Sequence, residues 1–170
     1  MKIRVVDYDS RWEAQYKQEA QVIRDILGDL LVDIHHIGST SVYGLQAKPI
    51  IDIMPVVRDI KAVDHRNLAF EQIGYECMGE YGIPGRRYLR KGSVERTHHV
   101  HIFEERNTHD IQRHLAVRDY LRAHAEVACE YGKLKKALAL QYPHDMDAYC
   151  DGKDDFVKQI EAAAQAWAQQ

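Results

Sequence analysis

His35-His36-Ile37-Gly38-Ser39-Thr40-Ser41-Val42-Tyr43-Gly44-Leu45-Gln46-Ala47-Lys48-Pro49-Ile50-Ile51-Asp52-Ile53-Met54-Pro55-Val56 reads as a strand, a glycine- and hydroxyl-rich turn, and a second strand carrying one acid in an apolar run. An ionised carboxylate gains nothing from a core strand unless something pairs with it, because burying it alone costs several kcal/mol. Asp52 is therefore the first candidate for chemistry. Upstream, Gly38 allows a tight backbone turn, and Ser39 and Thr40 offer hydroxyls that can join backbone N–H groups around an anion. A turn whose hydroxyls only satisfy loop backbone groups fits the same residues.

Working outward, helices and strands alternate before the chain turns wholly helical. Ser10-Arg11-Trp12-Glu13 has the pattern of a capping box, and Trp12, Tyr16, Ala20, Ile23 and Leu27 recur at helical spacing up to Gly28. Strands are expected over 31–37, 50–57, 75–78, 86–91 and 97–104, with a helix over 59–73. The connection over 79–85 holds three glycines and a proline, as a hairpin loop or a ligand-covering loop would. From Thr108 onward, apolar residues at helical spacing run to the end, interrupted at Pro143. The pattern predicts an α+β fold: a small mixed sheet of about five strands, an N-terminal helix and a C-terminal helical bundle. One domain over 1–170 accommodates this, with its sheet part over about 1–106 and its helical part over about 107–170.

Composition narrows the function classes. Apolar residues make up 45% and charged residues 29% of the 170, as in soluble globular proteins. A formal charge of −3 argues against a whole-surface nucleic-acid binder. Cys77, Cys129 and Cys150 are odd in number and widely spaced, so neither a disulfide framework nor a thiolate zinc site is expected. The N-terminal residues lack a signal-peptide pattern and no apolar run reaches membrane-span length, so the expected location is cytoplasmic, without membrane contact. Oligomeric state is not legible.

Strand alternation puts His99, His101 and Phe103 on one face and Val100 and Ile102 on the other, with the histidine Cα atoms about 6.5–7 Å apart. Two imidazoles and a carboxylate suit zinc, manganese or iron, so Asp52, His99, His101 and His36 form the candidate metal set if their strands adjoin. A His-x-His face that merely hydrogen-bonds within the sheet is the structural alternative. Arg86, Tyr88 and Arg90 share a face that can stack a base or simply charge a sheet edge. Arg118 and Arg122, one helical turn apart, can form a positive rim together with Lys133 and Lys135. Cys129 and Cys150 are expected to be packing residues on helices.

The run from His36 to Asp52, together with Arg96-Thr97-His98-His99-Val100-His101, Val117-Arg118-Asp119-Tyr120-Leu121-Arg122 and Tyr131 to Lys135, resembles the GrpB-like family, which is placed in the nucleotidyltransferase superfamily. The resemblance covers nearly the whole chain. It implies a nucleotidyltransferase-like topology, a triphosphate-contacting turn at Gly38 and Ser39, and a metal-holding acid at Asp52. Lys48 would then supply positive charge to the phosphates, while Lys153, near Tyr149, is a candidate through the family pattern alone. The superfamily's second acid, two residues on, is replaced by Met54.

The function expected from these residues is binding of a nucleotide or phosphorylated small molecule, with zinc, manganese or magnesium and transfer chemistry through Asp52, His99 and His101. Phosphate contacts fall to Gly38, Ser39, Thr40, Lys48 and Arg118. A His/Asp metal-dependent phosphohydrolase and a catalytically silent binding protein are the alternatives.

Overall fold

The computed structural model describes residues 2–170. Five strands form one mixed sheet: β1 (Leu31–Ile37), β2 (Ile51–Val57), β3 (Tyr75–Cys77), β4 (Arg87–Lys91) and β5 (His98–Glu104), in the spatial order β1-β2-β5-β4-β3. Only β2 and β5 run parallel; the other neighbours are antiparallel. The register opposes Asp52 to Ile37 on one side and to His99 on the other. The expected adjacency of the Asp52 and His99 strands is therefore present.

α1 (Arg11–Leu27) covers one face of this sheet, where Trp12, Ala20, Ile23 and Leu27 pack with Ile53, Leu89, Val100 and Ile102. The expected capping box does not form. Ser10 has a helical backbone and caps nothing, and the Asp9 carboxylate accepts from the Arg11 N–H at 2.9 Å. The expected helix over 59–73 is shorter and broken: a 3-10 stretch at Lys61–Arg66 leads into α2 (Asn67–Gln72). Asp59 explains the tight start, since its carboxylate accepts from the N–H groups of Lys61 and Ala62. Leu68 of α2 is exposed, whereas Phe70 is buried.

The opposite face meets the helical part, α3 (Thr108–Ala123), α4 (Ala125–Gln141) and α5 (Met146–Ala168). Ile111 and Leu115 of α3 cover Ile37, Met54 and Phe103. α4 and α5 approach closely at Gly152, where an added Cβ would collide with the Leu138 side chain. Cys129 and Cys150 lie on these two helices as expected, but both are exposed and so pack nothing. No helix among the described residues is long and apolar enough to cross a membrane.

Candidate functional site

A polar cavity of about 220 Å³ lies where the loop between β1 and β2 meets α4 and α5, lined by Gly38, Ser39, Lys48, Asp52, His99 and Lys135, among others. Pockets that enclose a whole drug-sized ligand measure roughly 300–1,000 Å³. This one has room for only part of such a ligand. Gly38 permits its geometry: φ is 71°, and an added Cβ would sit 2.6 Å from Asp52 Oδ2. A larger cleft of about 1080 Å³ lies by α1 and the N-terminal segment, away from Asp52. Its three acids are already engaged, Asp7 by Lys136, Asp9 by Arg11 and Glu19 by Lys91.

Three lysines reach the small cavity from three elements: Lys48 from the loop, Lys135 from α4 and Lys153 from α5. None of them makes an ion pair among the described residues. Lys135 is 3% exposed; its Nζ donates to Ser39 Oγ at 2.8 Å and lies 4.4 Å from the Tyr131 ring centroid. Lys48 and Lys153 both lie against the Tyr149 ring, at 5.5 and 5.7 Å. Burial, with the charges of Lys153 and Lys48, pushes the Lys135 ammonium down to about 7. Burial and Lys153 lower Lys48 as well. Aromatic faces ease the crowding of the cations, and the Asp52 carboxylate, which forms an ion pair with none of them, is the one acid in the lining.

Asp52 forms the sheet-side wall. Its side chain is 26% exposed, so the acid is open to the cavity rather than sealed in the core as the strand pattern implied. His101 Nε2 lies 3.1 Å and His99 Nδ1 3.6 Å from the same oxygen, Oδ1. Burial pushes the Asp52 carboxyl up, but hydrogen bonds from His101 and His99 outweigh it and hold the group well below the usual carboxylate range. On its other nitrogen, His101 Nδ1 faces Arg86 Nη1 at 3.4 Å. A guanidinium only donates, so Nδ1 accepts and the Nε2 proton is directed at Asp52.

That proton bears on the expected metal set. A ligating imidazole must offer a lone pair where His101 Nε2 holds a proton, and Met54, fully buried, supplies no carboxylate. Among the described residues, no three His, Cys, Asp or Glu side chains are grouped to hold a metal ion. The fourth expected ligand, His36, is on the other sheet face, stacked on Tyr16 at 4.6 Å with Nε2 2.9 Å from Thr40 Oγ1. Burial, with Arg122 and Arg118 nearby, pushes His36 down to about 4. Asp52, His99 and His101 do come together, but as a hydrogen-bonded cluster that does not fit a divalent-metal centre.

Of the expected phosphate contacts, Gly38, Ser39, Thr40 and Lys48 line the cavity. Arg118 does not. Its Nη1 donates to the His36 carbonyl and its Nε to Asp119, while Arg122 donates to the Ser41 carbonyl, so the expected rim instead braces the turn from behind. Lys135 and Lys153 carry the charge expected of Arg118. Lys135 is reached through the helical spacing that places Tyr131 and Lys135 one turn apart.

The family model described as GrpB protein matches residues 2–163. The chain belongs to the GrpB family. It is 44% identical over 166 residues to UPF0157 protein YqkA of Bacillus subtilis (strain 168), an alignment spanning 98% of this chain and 48% of YqkA, so the chain is about half the length of that relative. It is 33% identical to the glutamate-rich protein GrpB of Alkalihalophilus pseudofirmus, covering 92% of both. The crystal structure of conserved protein GrpB from Enterococcus faecalis superposes with a TM-score of 0.96 at 48% identity, over 98% of this chain and 100% of that one. The Cid1 poly(U) polymerase bound to MgATP shares the fold, with a TM-score of 0.51 at 10% identity over 78% of this chain and 45% of Cid1. The GrpB fold is thus nucleotidyltransferase-like, as the resemblance implied.

Proposed function

We propose that this protein binds a phosphorylated small molecule, of which a nucleotide is the leading candidate, with the phosphates in the lysine-lined cavity. The observation that carries the reading is the convergence of Lys48, Lys135 and Lys153 beside the Gly38–Thr40 turn with no acid paired to any of them. Three part-buried or buried cations facing one acid, Asp52, carry an excess of positive charge that costs stability, and an incoming polyanion offsets it. Ser39 adds a hydroxyl held by Lys135, and Gly38 lets the turn pack directly against Asp52, where any Cβ would clash. The Cid1 fold, which holds MgATP in that protein, is consistent with such a ligand.

In this reading the lysines supply the neutralising charge that superfamily members obtain from metal. Asp52, kept ionised by His101 and His99, stands at the cavity wall where it can orient a hydroxyl or water near a bound phosphate. The donor set favours a binding protein, with transfer chemistry secondary, over a metal-dependent phosphohydrolase. Thermal-shift titration with ribonucleoside triphosphates tests it: stabilisation should grow with ligand concentration and vanish in Lys48→Met/Lys135→Met. An equal shift in that variant would move the ligand elsewhere.

A further inference from the structure

The cavity has room for only part of a ligand, and its lining includes His99 of β5, the strand beside β4. From His99 the sheet face continues onto β4, where register opposes Tyr88 to His101 and Arg90 to His99. The Tyr88 ring centroid lies 5.7 Å from that of His99 and 5.4 Å from that of His101. Tyr81, from the glycine-rich loop after β3, stacks on Tyr88 at 5.2 Å with 21° between the planes. The Arg90 guanidinium, whose Nη2 donates to Glu76 at 2.8 Å, lies 5.7 Å from the Tyr81 ring, and its buried Nε has no partner.

Tyr81 is held there against its backbone preference. Its φ of 49° makes it the one non-glycine residue with positive φ among those described, in a loop where Gly79, Gly82 and Gly85 also adopt positive φ. A side chain in the left-handed region crowds its own backbone and is sterically disfavoured. Yet the ring is 53% exposed, so burial offsets little of that cost. Arg86 fixes the arrangement, donating to the carbonyls of Glu80 and Tyr81 while its Nη1 meets His101 Nδ1. One guanidinium therefore ties the Tyr81 loop to the His101–Asp52 pair.

We infer that Tyr81, Tyr88 and Arg90 form a second subsite, a shelf on which the nucleobase of a nucleoside phosphate stacks while its phosphates occupy the lysine cavity. This rests on the phosphate reading above. β4, β5 and β2 are successive neighbours, so the shelf lies about 10 Å across the sheet from Asp52. A ligand whose planar ring and phosphates are separated by a sugar spans that gap. The exposed Tyr81 face takes the ring, and Arg90 adds a cation beside it.

Calorimetric titration of inorganic tripolyphosphate and of the four ribonucleoside triphosphates separates the two subsites. Tripolyphosphate should bind the cavity alone, and at least one nucleotide should bind more tightly. Tyr81→Ala should weaken that nucleotide roughly ten- to hundredfold and leave tripolyphosphate unchanged, with Tyr81→Phe restoring the affinity. Nucleotides no tighter than tripolyphosphate, or unaffected by Tyr81→Ala, would overturn the shelf and leave the lysine cavity standing. An equal loss for both ligands would also overturn it, assigning Tyr81 to loop structure. Absence of binding by either ligand would remove the phosphate reading and the shelf with it.

Discussion

The two faces of the sheet treat buried charge in opposite ways. On the α1 face, Glu19 is 8% exposed and accepts from the Tyr75 hydroxyl at 2.7 Å and from Lys91 Nζ at 2.9 Å, with His98 3.9 Å away. Acid, base and hydroxyl satisfy one another there, and the network ties α1 to β3, β4 and β5. On the other face Lys48, Lys135 and Lys153 gather against rings and a serine hydroxyl, with one acid, Asp52, in the same cavity and ion-paired to none of them. A closed network holds the fold together, whereas an open one with an excess of positive charge costs stability that an outside anion recovers.

Glu19→Ala should show the largest effect. It strands Lys91 and the Tyr75 hydroxyl in a part-buried place, and breaking one partner of such a network destabilises by about 3–5 kcal/mol. Urea denaturation should register the loss, while tripolyphosphate affinity measured on the folded protein stays the same. A weakened affinity would mean that the two faces are not separable.

Lys135→Met reverses the pattern. Tripolyphosphate should bind at least tenfold more weakly, since a charge-assisted hydrogen bond is worth about 1.5–3 kcal/mol. The ligand-free variant should match or exceed the natural protein in urea, because an unpaired buried ammonium has been replaced by a similar apolar chain. Marked destabilisation would show Lys135 to be a structural donor to Ser39.

The pH dependence follows from the same group. Lys135 is near 7 in the fold against an ordinary value of 10.5, so between these values the unfolded chain binds more protons. Ligand-free stability attributable to Lys135 should therefore be lowest below about pH 7, rise from there, and level off above about 10.5. Phosphate affinity runs the other way, falling by up to about tenfold per pH unit above 7 as the free ammonium loses its proton. Both trends should flatten in Lys135→Met, and a natural protein that already lacked them would place the ammonium in a wetter, paired setting.

Much of this organisation was legible in the sequence, and the failures have physical causes. Runs rich in β-forming residues, bounded by glycine-containing turns, located the five strands within a residue or two. Apolar recurrence separated the sheet part from the helices after Thr108. Asp52, His99 and His101 were brought together by face and by adjacency, and Gly38, Ser39 and Lys48 by the turn. Residue types do not reveal tautomers, however, so three potential metal ligands looked alike until Arg86 was seen against His101 Nδ1. His36 failed for a simpler reason: it is one residue out of phase with the Asp52 face. Arg118 and Lys135 both lie on helices, and only the packing of α3, α4 and α5 decides which cation enters the cavity.

A smaller effect is expected where the expected arginine rim lies. Arg118→Ala removes a hydrogen bond to the His36 carbonyl, so stability should fall by about 0.5–1.5 kcal/mol and phosphate affinity by no more than a few fold. A loss as large as that from Lys135→Met would return Arg118 to the phosphate contacts.

Tripolyphosphate titrated calorimetrically into protein held in a metal chelator, and again with magnesium or manganese added, asks whether lysines or a metal provide the counter-charge. Lysine-supplied charge predicts binding in the chelator, abolished in Lys48→Met/Lys135→Met and not strengthened by the cations. Binding that appears only with a divalent cation and is lost in Asp52→Asn, while the lysine variant binds normally, would contradict it.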